Sequence, residues 1–491
     1  MLQQAHTLLS QNNAASANEI LLNYNKPNKV SHHFWHLLSL SHAILGESKE
    51  ALKPALLIVK DQPNNIEYLK LLGGIYHDLR DYEQAILIFN RALKINDRDY
   101  QTISNLANSL KETRQYEEAE KNYQLSLALQ PNQPDALTNY GLLKQVNAKL
   151  DEAISLHRKS IQLAPNNVTA LYNLAFALTE KGEHDAALQT YSKVIQFMPN
   201  HVRALCDIAH IYLKSNQAER TLPYLQHAVL IAPNDEQAHL NYGAAHNMMG
   251  NYDLAEASFN EALRVNPDNQ TAQYYLAILR GDNSIASSPD KYVQELFDGY
   301  AETFDAQLIG KLHYKTPELI GNMVKKHIDT LKQYNILDLG CGTGLAGIHL
   351  EDISEHMIGI DLSSKMLKKA EARNIYDELV VSGIEQYFET HNFQPDIVVS
   401  ADVFVYIGDI SAIFDKVSKS LSPNGLFAFS TEDTKDAESF TLKSSGRYAH
   451  NENHIRSLAD KNHFVFLDNQ KTIIRYEANE PIHGQVYLLK K

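Results

Sequence analysis

The residues best suited to hold a ligand form one short run: Asp338, then Gly340, Gly342 and Gly344 at alternate positions. Without Cβ atoms the backbone can turn tightly, and a bound molecule can lie directly against it. The apolar stretch NILDL before the first glycine reads as a strand running into a nucleotide- or phosphate-binding turn. A second acid, Asp361, closes the next apolar run, HMIGID. An acid at such a strand tip can accept both hydroxyls of a ribose. A nicotinamide-type turn requires glycine at position 345, where the chain has Leu345, and the Gly-Lys-Ser/Thr ending of a P-loop is absent. The ligand expected here carries a ribose but is not a dinucleotide held in the usual way.

These residues need a sheet to position them. From residue 331 onward short apolar runs alternate with helical stretches: NILDLG, HMIGID, ELVVSG, DIVVSA, LFAFST, FVFLD and QVYLLK. That rhythm predicts a seven-stranded, mostly parallel, doubly wound α/β sheet. Only NQKTIIRYEANEPIHG separates the last two runs, so the final strand is expected to be antiparallel. The turn falls at the end of the first strand and Asp361 at the end of the second.

Glycine turn, second-strand acid and strand rhythm together resemble the class I S-adenosylmethionine-dependent methyltransferases, over about residues 290–491. The resemblance implies a Rossmann-like fold, S-adenosyl-L-methionine as cofactor, S-adenosyl-L-homocysteine as product, and no metal. It places Asp338 and the Gly340, Cys341, Gly342 and Gly344 turn against the amino acid part of the cofactor. Asp361 takes the ribose, and Leu362 and Met366 flank the adenine. After the third strand the family often has an acid for the adenine amine; this chain has Ser382, Gly383 and Ile384, so Ser382 or backbone groups take that place. After the fourth strand Ala401, Asp402 and Tyr406 stand at the usual mouth of the site, and the Asn-Pro-Pro-Tyr signature of amide and base methylation is missing. Residues 291–330 match a helical lid, with Phe297, Tyr300, Phe304 and Tyr314 as an aromatic cover suited to a sulfonium. Arg447, Tyr448 and His450 lie where acceptors usually enter, which makes Asp402, Tyr448 and His450 the candidate bases.

The preceding residues have a different texture. Pro63, Pro131, Pro165, Pro199, Pro233 and Pro267 fall on a grid of about 34 residues, with Asp97 at the interior point lacking proline. Small residues recur on the same grid in one helix (Gly73, Ala107, Gly141, Ala175, Ala209, Gly243) and in a second (Ala51, Ala85, Ala119, Ala153, Ala187, Ala255). Small residues let paired helices approach, and proline ends the second helix of each unit. The pattern resembles the tetratricopeptide repeat: about eight units and a capping helix over residues 1–280, with GDNSIASSPD (281–290) as a linker. The methyltransferase domain proper is then 331–491. Repeats followed by lid and domain look like the bacterial predicted methyltransferases that carry such repeats.

Stacked units offer a concave groove. Asn105, Asn139, Asn173, Asp207 and Asn241 share one grid position, and asparagine can both give and accept hydrogen bonds with a peptide backbone. A similar ladder holds extended peptides in the repeats of O-linked N-acetylglucosamine transferases. A protein or peptide partner in this groove is therefore expected.

The rest of the chain narrows the setting. Its 491 residues exceed one ordinary core, and a net charge of -14 disfavours a general nucleic-acid binder. Cys206 and Cys341 are the only cysteines, there is no secretory signal, and no apolar run is long enough for a bilayer, so the expected location is cytoplasmic without membrane attachment. His32, His33 and His36 lack a ligand partner at metal spacing, and Asn451 after His450 breaks the zinc-protease pattern completed by His454. The leading reading is a methyltransferase whose repeat arm recruits a protein or peptide acceptor or docks it to a complex. Alternatives are a small-molecule methyltransferase whose repeats serve oligomerisation or localisation, and a degenerate scaffold that only binds the cofactor.

Overall fold

The computed structural model describes residues 1–24, 31–301, 304–305, 315–435, 438–477 and 480–491, and the chain divides into two compact units, Met1–Ile211 and Tyr212–Lys491. The lid residue Tyr314 lies outside the described residues.

The first unit is helical throughout. Helix pairs such as Tyr100–Glu112 with Tyr116–Leu129, and Val168–Glu180 with His184–Phe197, repeat along it. Each repeat turns between its helices on one left-handed residue, among them Gly46, Arg80, Arg114, Ala148 and Gly182. The asparagines behind the prolines cap the next helix: the Asn65 side chain accepts from the Tyr68 amide and that of Asn167 from the Ala170 amide. Such caps satisfy backbone donors that the helix leaves open. The small column is small because an aromatic ring faces it. A Cβ on Gly73 would come within 2.5 Å of the Phe89 ring, and one on Gly141 equally close to His157.

The second unit begins with the last repeats. Helices Glu236–Met248, Tyr252–Val265 and Gln270–Arg280 follow the same rules, with Asp235 and Asn269 as caps. Gly243 faces Phe259, whose ring stacks on Tyr275 at 4.8 Å. Gly243→Val forces a branched side chain to within 2.6 Å of that ring. We expect it to cost about 1–3 kcal/mol, read as a lower thermal midpoint of the chain; an unchanged midpoint would show that the seam has slack.

The sheet follows. Its strands are Tyr334–Leu339 (β1), Ser354–Asp361 (β2), Glu378–Val381 (β3), Ile397–Ser400 (β4), Leu426–Asp433 (β5), Phe440–Leu442 (β6), Tyr448–His450 (β7), Val465–Glu477 (β8) and Glu480–Lys490 (β9). The order β3-β2-β1-β4-β5 is parallel throughout, and β9 runs antiparallel between β5 and β8. The expected topology is present with nine strands rather than seven, because Phe440–His450 folds as a small hairpin that pairs with the end of β5. The segment read as the connection between the last two strands is itself strand: β8 extends through TIIRYE. Buried aliphatic and aromatic side chains from β1, β4 and β5 fill both faces, Leu337, Val398 and Phe427 on one and Ile336, Val399 and Ala428 on the other. Two-sided burial explains why these strands read as continuous apolar runs. No described helix is long and apolar enough to cross a membrane.

Candidate functional site

The glycine turn leaves β1 with Gly340, Gly342 and Gly344 all at positive φ (67°, 56° and 88°), a conformation that other residues adopt only under strain. A Cβ on Gly340 would overlap Val403. The turn is fastened to the neighbouring strand by the Cys341 amide, which donates to Ile360 O at 2.9 Å. Asp361 completes it: its carboxylate accepts from the Gly342 amide at 2.9 Å and the Ser363 amide at 2.8 Å.

A cavity of about 750 Å³ opens beside this turn. Gly340, Gly342, Asp361 and Leu362 form one part of its wall, and Ser382, Gly383 and Ile384 continue it. Ala401, Asp402 and Tyr406 come from the loop after β4. Phe297, Tyr300 and Phe304 come from helix Asp290–Tyr300 and the residues after it. Phe297 packs edge-on against both Phe304 (5.9 Å) and Tyr406 (5.4 Å). Polar contacts tie this segment to the turn: Ser363 Oγ donates to Asp298 at 2.5 Å, and Thr343 Oγ1 to Asp305 at 2.6 Å.

Other expected residues lie behind the wall. Cys341 is buried with its sulfur beside Gly359; Met366 is fully buried; Gly344 faces Tyr376 and Arg373. Asp338 is buried below the turn, where Tyr376 donates to its Oδ2 at 2.7 Å while Oδ1 has no hydrogen-bond partner among the described residues. Burial pushes the Asp338 carboxyl up to about 7, against the Tyr376 bond that lowers it. Burial likewise raises Asp361 to about 6 despite its backbone donors.

These shifts have a thermodynamic sign. An Asp338 carboxyl that titrates near 7 when folded and near 3.8 when unfolded binds more protons in the folded state between those values. Its contribution is fully present below about pH 4 and is lost as pH rises through about 7. Asp338→Asn keeps the size and an acceptor for Tyr376 but never ionises. We expect it to stabilise the ligand-free protein at pH 8 by a few kcal/mol, with the gain fading toward pH 4.5. Urea denaturation at the two pH values measures this; a gain independent of pH would contradict the assignment.

Two of the three candidate bases are elsewhere. Tyr448 and His450 sit on β7, where the two-residue period of a strand turns both to one buried face. The Tyr448 hydroxyl donates to Ile285 O at 2.9 Å. His450 Nε2 donates to Gly408 O at 3.0 Å, and burial lowers its pKa to about 4. Neither is part of the cavity lining, because the stretch expected where acceptors enter folds as the hairpin β6–β7.

Asp402 does reach it, at a left-handed φ of 56°. Its Oδ1 accepts from Ser430 Oγ at 3.0 Å, and its Oδ2 lies 3.4 Å from Arg475 Nη1. Burial raises its carboxyl, and Arg475 opposes the rise. Arg475, absent from the sequence reading, also pairs with buried Glu432, which Lys443 contacts at 2.9 Å. Arg447 joins the wall through the turn of the hairpin.

In the first unit Asn105, Asn139, Asn173 and Asp207 occur once in each successive first helix. Asn173 is buried with no hydrogen-bond partner for Nδ2 among the described residues, while Asp207 accepts from Tyr191 at 3.1 Å. In the second unit Asn241 accepts from Gln237 at 2.8 Å.

Comparison with known proteins agrees with both parts. A methyltransferase-domain family model matches residues 331–479, and tetratricopeptide-repeat models match 66–99, 100–133, 147–206, 178–240 and 248–280. A ubiquinone biosynthesis O-methyltransferase of Hydrogenovibrio crunogenus is 29% identical over 126 residues, 25% of this chain and 52% of that protein. An uncharacterized protein of Haemophilus influenzae is 30% identical over 176 residues, 32% of this chain and 69% of the relative. The chain spans about half the length of the ubiquinone biosynthesis relatives it matches. A solved magnesium protoporphyrin IX methyltransferase from Synechocystis PCC 6803, with bound SAH, is 15% identical, covers 41% of this chain and 99% of its own, and superposes with a TM-score of 0.33. The chain thus carries a methyltransferase domain behind tetratricopeptide repeats.

Proposed function

We propose that the cavity binds S-adenosyl-L-methionine and that the repeat arm recruits a protein or peptide acceptor to it. The observation that carries the reading is the meeting of bare glycine backbone, the Asp361 carboxylate and Asp402 on one cavity wall. The residues present fit the cofactor: Gly340 and Gly342 leave the wall uncovered, and a Cβ on Gly342 would project toward the Phe304 ring of the same lining, 3.9 Å away. Gly340 and Gly342 would meet the amino acid part, Asp361 the ribose, and Leu362 with Ser382, Gly383 and Ile384 the adenine side. Met366, Cys341 and Gly344 act from behind, by fixing the turn and the helix after β2.

When bound, the cofactor supplies a methyl group on a positively charged sulfur, ready for in-line displacement. The chain's own part is alignment and exclusion of water. Phe297, Tyr300 and Phe304 cover the site with apolar surface whose π-faces favour a cation. Asp402 is the carboxylate placed to take the proton of the acceptor, and Arg475 holds it in position. The similar O-methyltransferases support an oxygen acceptor.

Their names also favour a second reading, in which the acceptor is a small molecule and the arm serves another purpose. Calorimetric titration with S-adenosylmethionine tests the first claim; a folded protein that takes up none sinks it. Comparing methyl transfer by the full chain with that by its second compact unit, from Tyr212 onward, separates the two acceptors. Equal turnover removes the recruiting role of the arm.

A further inference from the structure

The polar segment between repeats and sheet does not hang free. Ser287 bridges to Ile407, the Ser288 amide donates to Tyr406 O at 2.8 Å, and Ala286 O accepts from the amides of Gly408 and Asp409 at 2.7 and 2.9 Å. Residues 286–288 thus lie as a strap along the loop that carries Tyr406 into the cavity. Ser288 itself is on the cavity wall.

The last repeat helix, Gln270–Arg280, grips that strap and the opposite wall at once. Tyr274 is fully buried with Tyr448 and Leu442. Its hydroxyl accepts from Ser288 Oγ at 2.8 Å and donates to Gly446 O. Gly446, at φ 73°, is the left-handed corner of the β6–β7 turn. The turn is closed by the Lys443 amide on Arg447 O at 2.8 Å and the Gly446 amide on Lys443 O at 2.9 Å. Ser445, Gly446 and Arg447 face the cavity. Tyr274 and Tyr275 also pack on Tyr292 of the aromatic helix (5.1 and 5.8 Å). A single hydroxyl therefore joins the wall at Ser288 and Tyr406 to the wall at Gly446 and Arg447.

We infer that Tyr274, a residue of the repeat segment, is a positioning residue of the acceptor end of the cavity. It sets the 443–447 turn against the Ser288 strap, so that the last repeat helix is part of the framework of the site. This rests on the assignment of the glycine turn to the cofactor and of the opposite end to the acceptor. Tyr274 touches no reacting atom; it acts through Gly446 and Ser288.

The test uses the full chain with Tyr274→Phe, which keeps the ring and removes only the hydroxyl, and Tyr274→Leu, which removes the ring as well. Hydrogen–deuterium exchange of the peptide spanning 440–450 is measured with and without S-adenosylhomocysteine, alongside calorimetric titration of that ligand. Loss of one buried hydrogen bond should speed exchange in the turn about tenfold in Tyr274→Phe, more in Tyr274→Leu. The affinity for S-adenosylhomocysteine should stay within about twofold of the parent, the thermal midpoint of Tyr274→Phe should fall by only a few degrees, and exchange in β1, β2 and β4 should rise less than in the turn. Unchanged exchange of 440–450 in both variants overturns the proposal. So does a uniform rise across the sheet, which is the mark of a merely structural tyrosine. If the parent protein fails to bind S-adenosylhomocysteine, the cofactor assignment falls, whatever the turn does.

Discussion

Asp361→Ala should weaken binding of S-adenosylmethionine by at least about a hundredfold. A carboxylate that accepts hydrogen bonds from both ribose hydroxyls makes two charge-assisted contacts, each of about 1.5–3 kcal/mol when its partner is left unsatisfied. Alanine removes both, and also releases the Gly342 and Ser363 amides that the carboxylate holds at 2.9 and 2.8 Å. The fold should survive, because burial already disfavours the ionised Asp361, its carboxyl standing near 6. Asp361→Asn, with one acceptor retained, should fall between alanine and wild type. Titration calorimetry of the three proteins at pH 8, where Asp361 is ionised, makes the comparison. Binding by the alanine variant within threefold of wild type would remove Asp361 from the ribose.

Arg475→Met should cost about 3–5 kcal/mol of stability, the larger structural effect. Arg475 is 4% exposed and holds two carboxylates, Asp402 and the 1% exposed Glu432. Burial penalises the Glu432 charge, yet Arg475 and Lys443 keep its carboxyl below the ordinary value. Methionine matches the arginine stem but leaves both acids facing each other, with Lys443 alone to offset Glu432. The loss should be greatest at pH 8 and shrink toward pH 5, as the abandoned acids take up protons. Adding Glu432→Gln to Arg475→Met should restore most of the stability. If the single variant melts with the parent, or the double variant is no better than the single, the buried pair is not what holds this end of β5 and β8 together.

How much of this could be read beforehand depended on whether the information was local. The repeats were legible because each unit repeats the same constraints: proline to end a helix, asparagine to cap the next, a small residue under a ring. The glycine side of the cavity wall is legible because Gly340, Gly342 and Asp361 lie at two strand ends that the sheet must bring together. Membership of the turn does not distinguish residues on the wall from those beneath it, so the motif does not separate Asp338, Cys341, Gly344 and Met366 from the half-buried Gly340, Gly342 and Asp361. Tyr448 and His450 were misplaced because three-residue strands carry almost no periodic signal. Arg475 was overlooked in a stretch taken for a connection. Alternation in TIIRYE was the available hint, and an arginine amid buried strand positions runs against the usual distribution of charge. The strap at 286–288 lies in a stretch whose composition reads as a linker, because most of its contacts are made by backbone amides and carbonyls.

The aromatic junction at Tyr274 also bears on how such a chain can change over generations. Tetratricopeptide arrays gain and lose whole units by duplication and deletion, and each inner unit asks only that its two neighbours present the same surfaces. The helix pairs of the first 211 residues follow that rule. The last helix answers to a second one, since Tyr274, Ala277 and Ile278 belong to one packed cluster with Leu442 and Tyr448. Descendants of this chain are free to lengthen or shorten the arm from its far end. A duplication or deletion that replaced Gln270–Arg280 with an ordinary repeat helix would alter the catalytic cavity in the same event, so the oldest fixed unit of the arm should be its last.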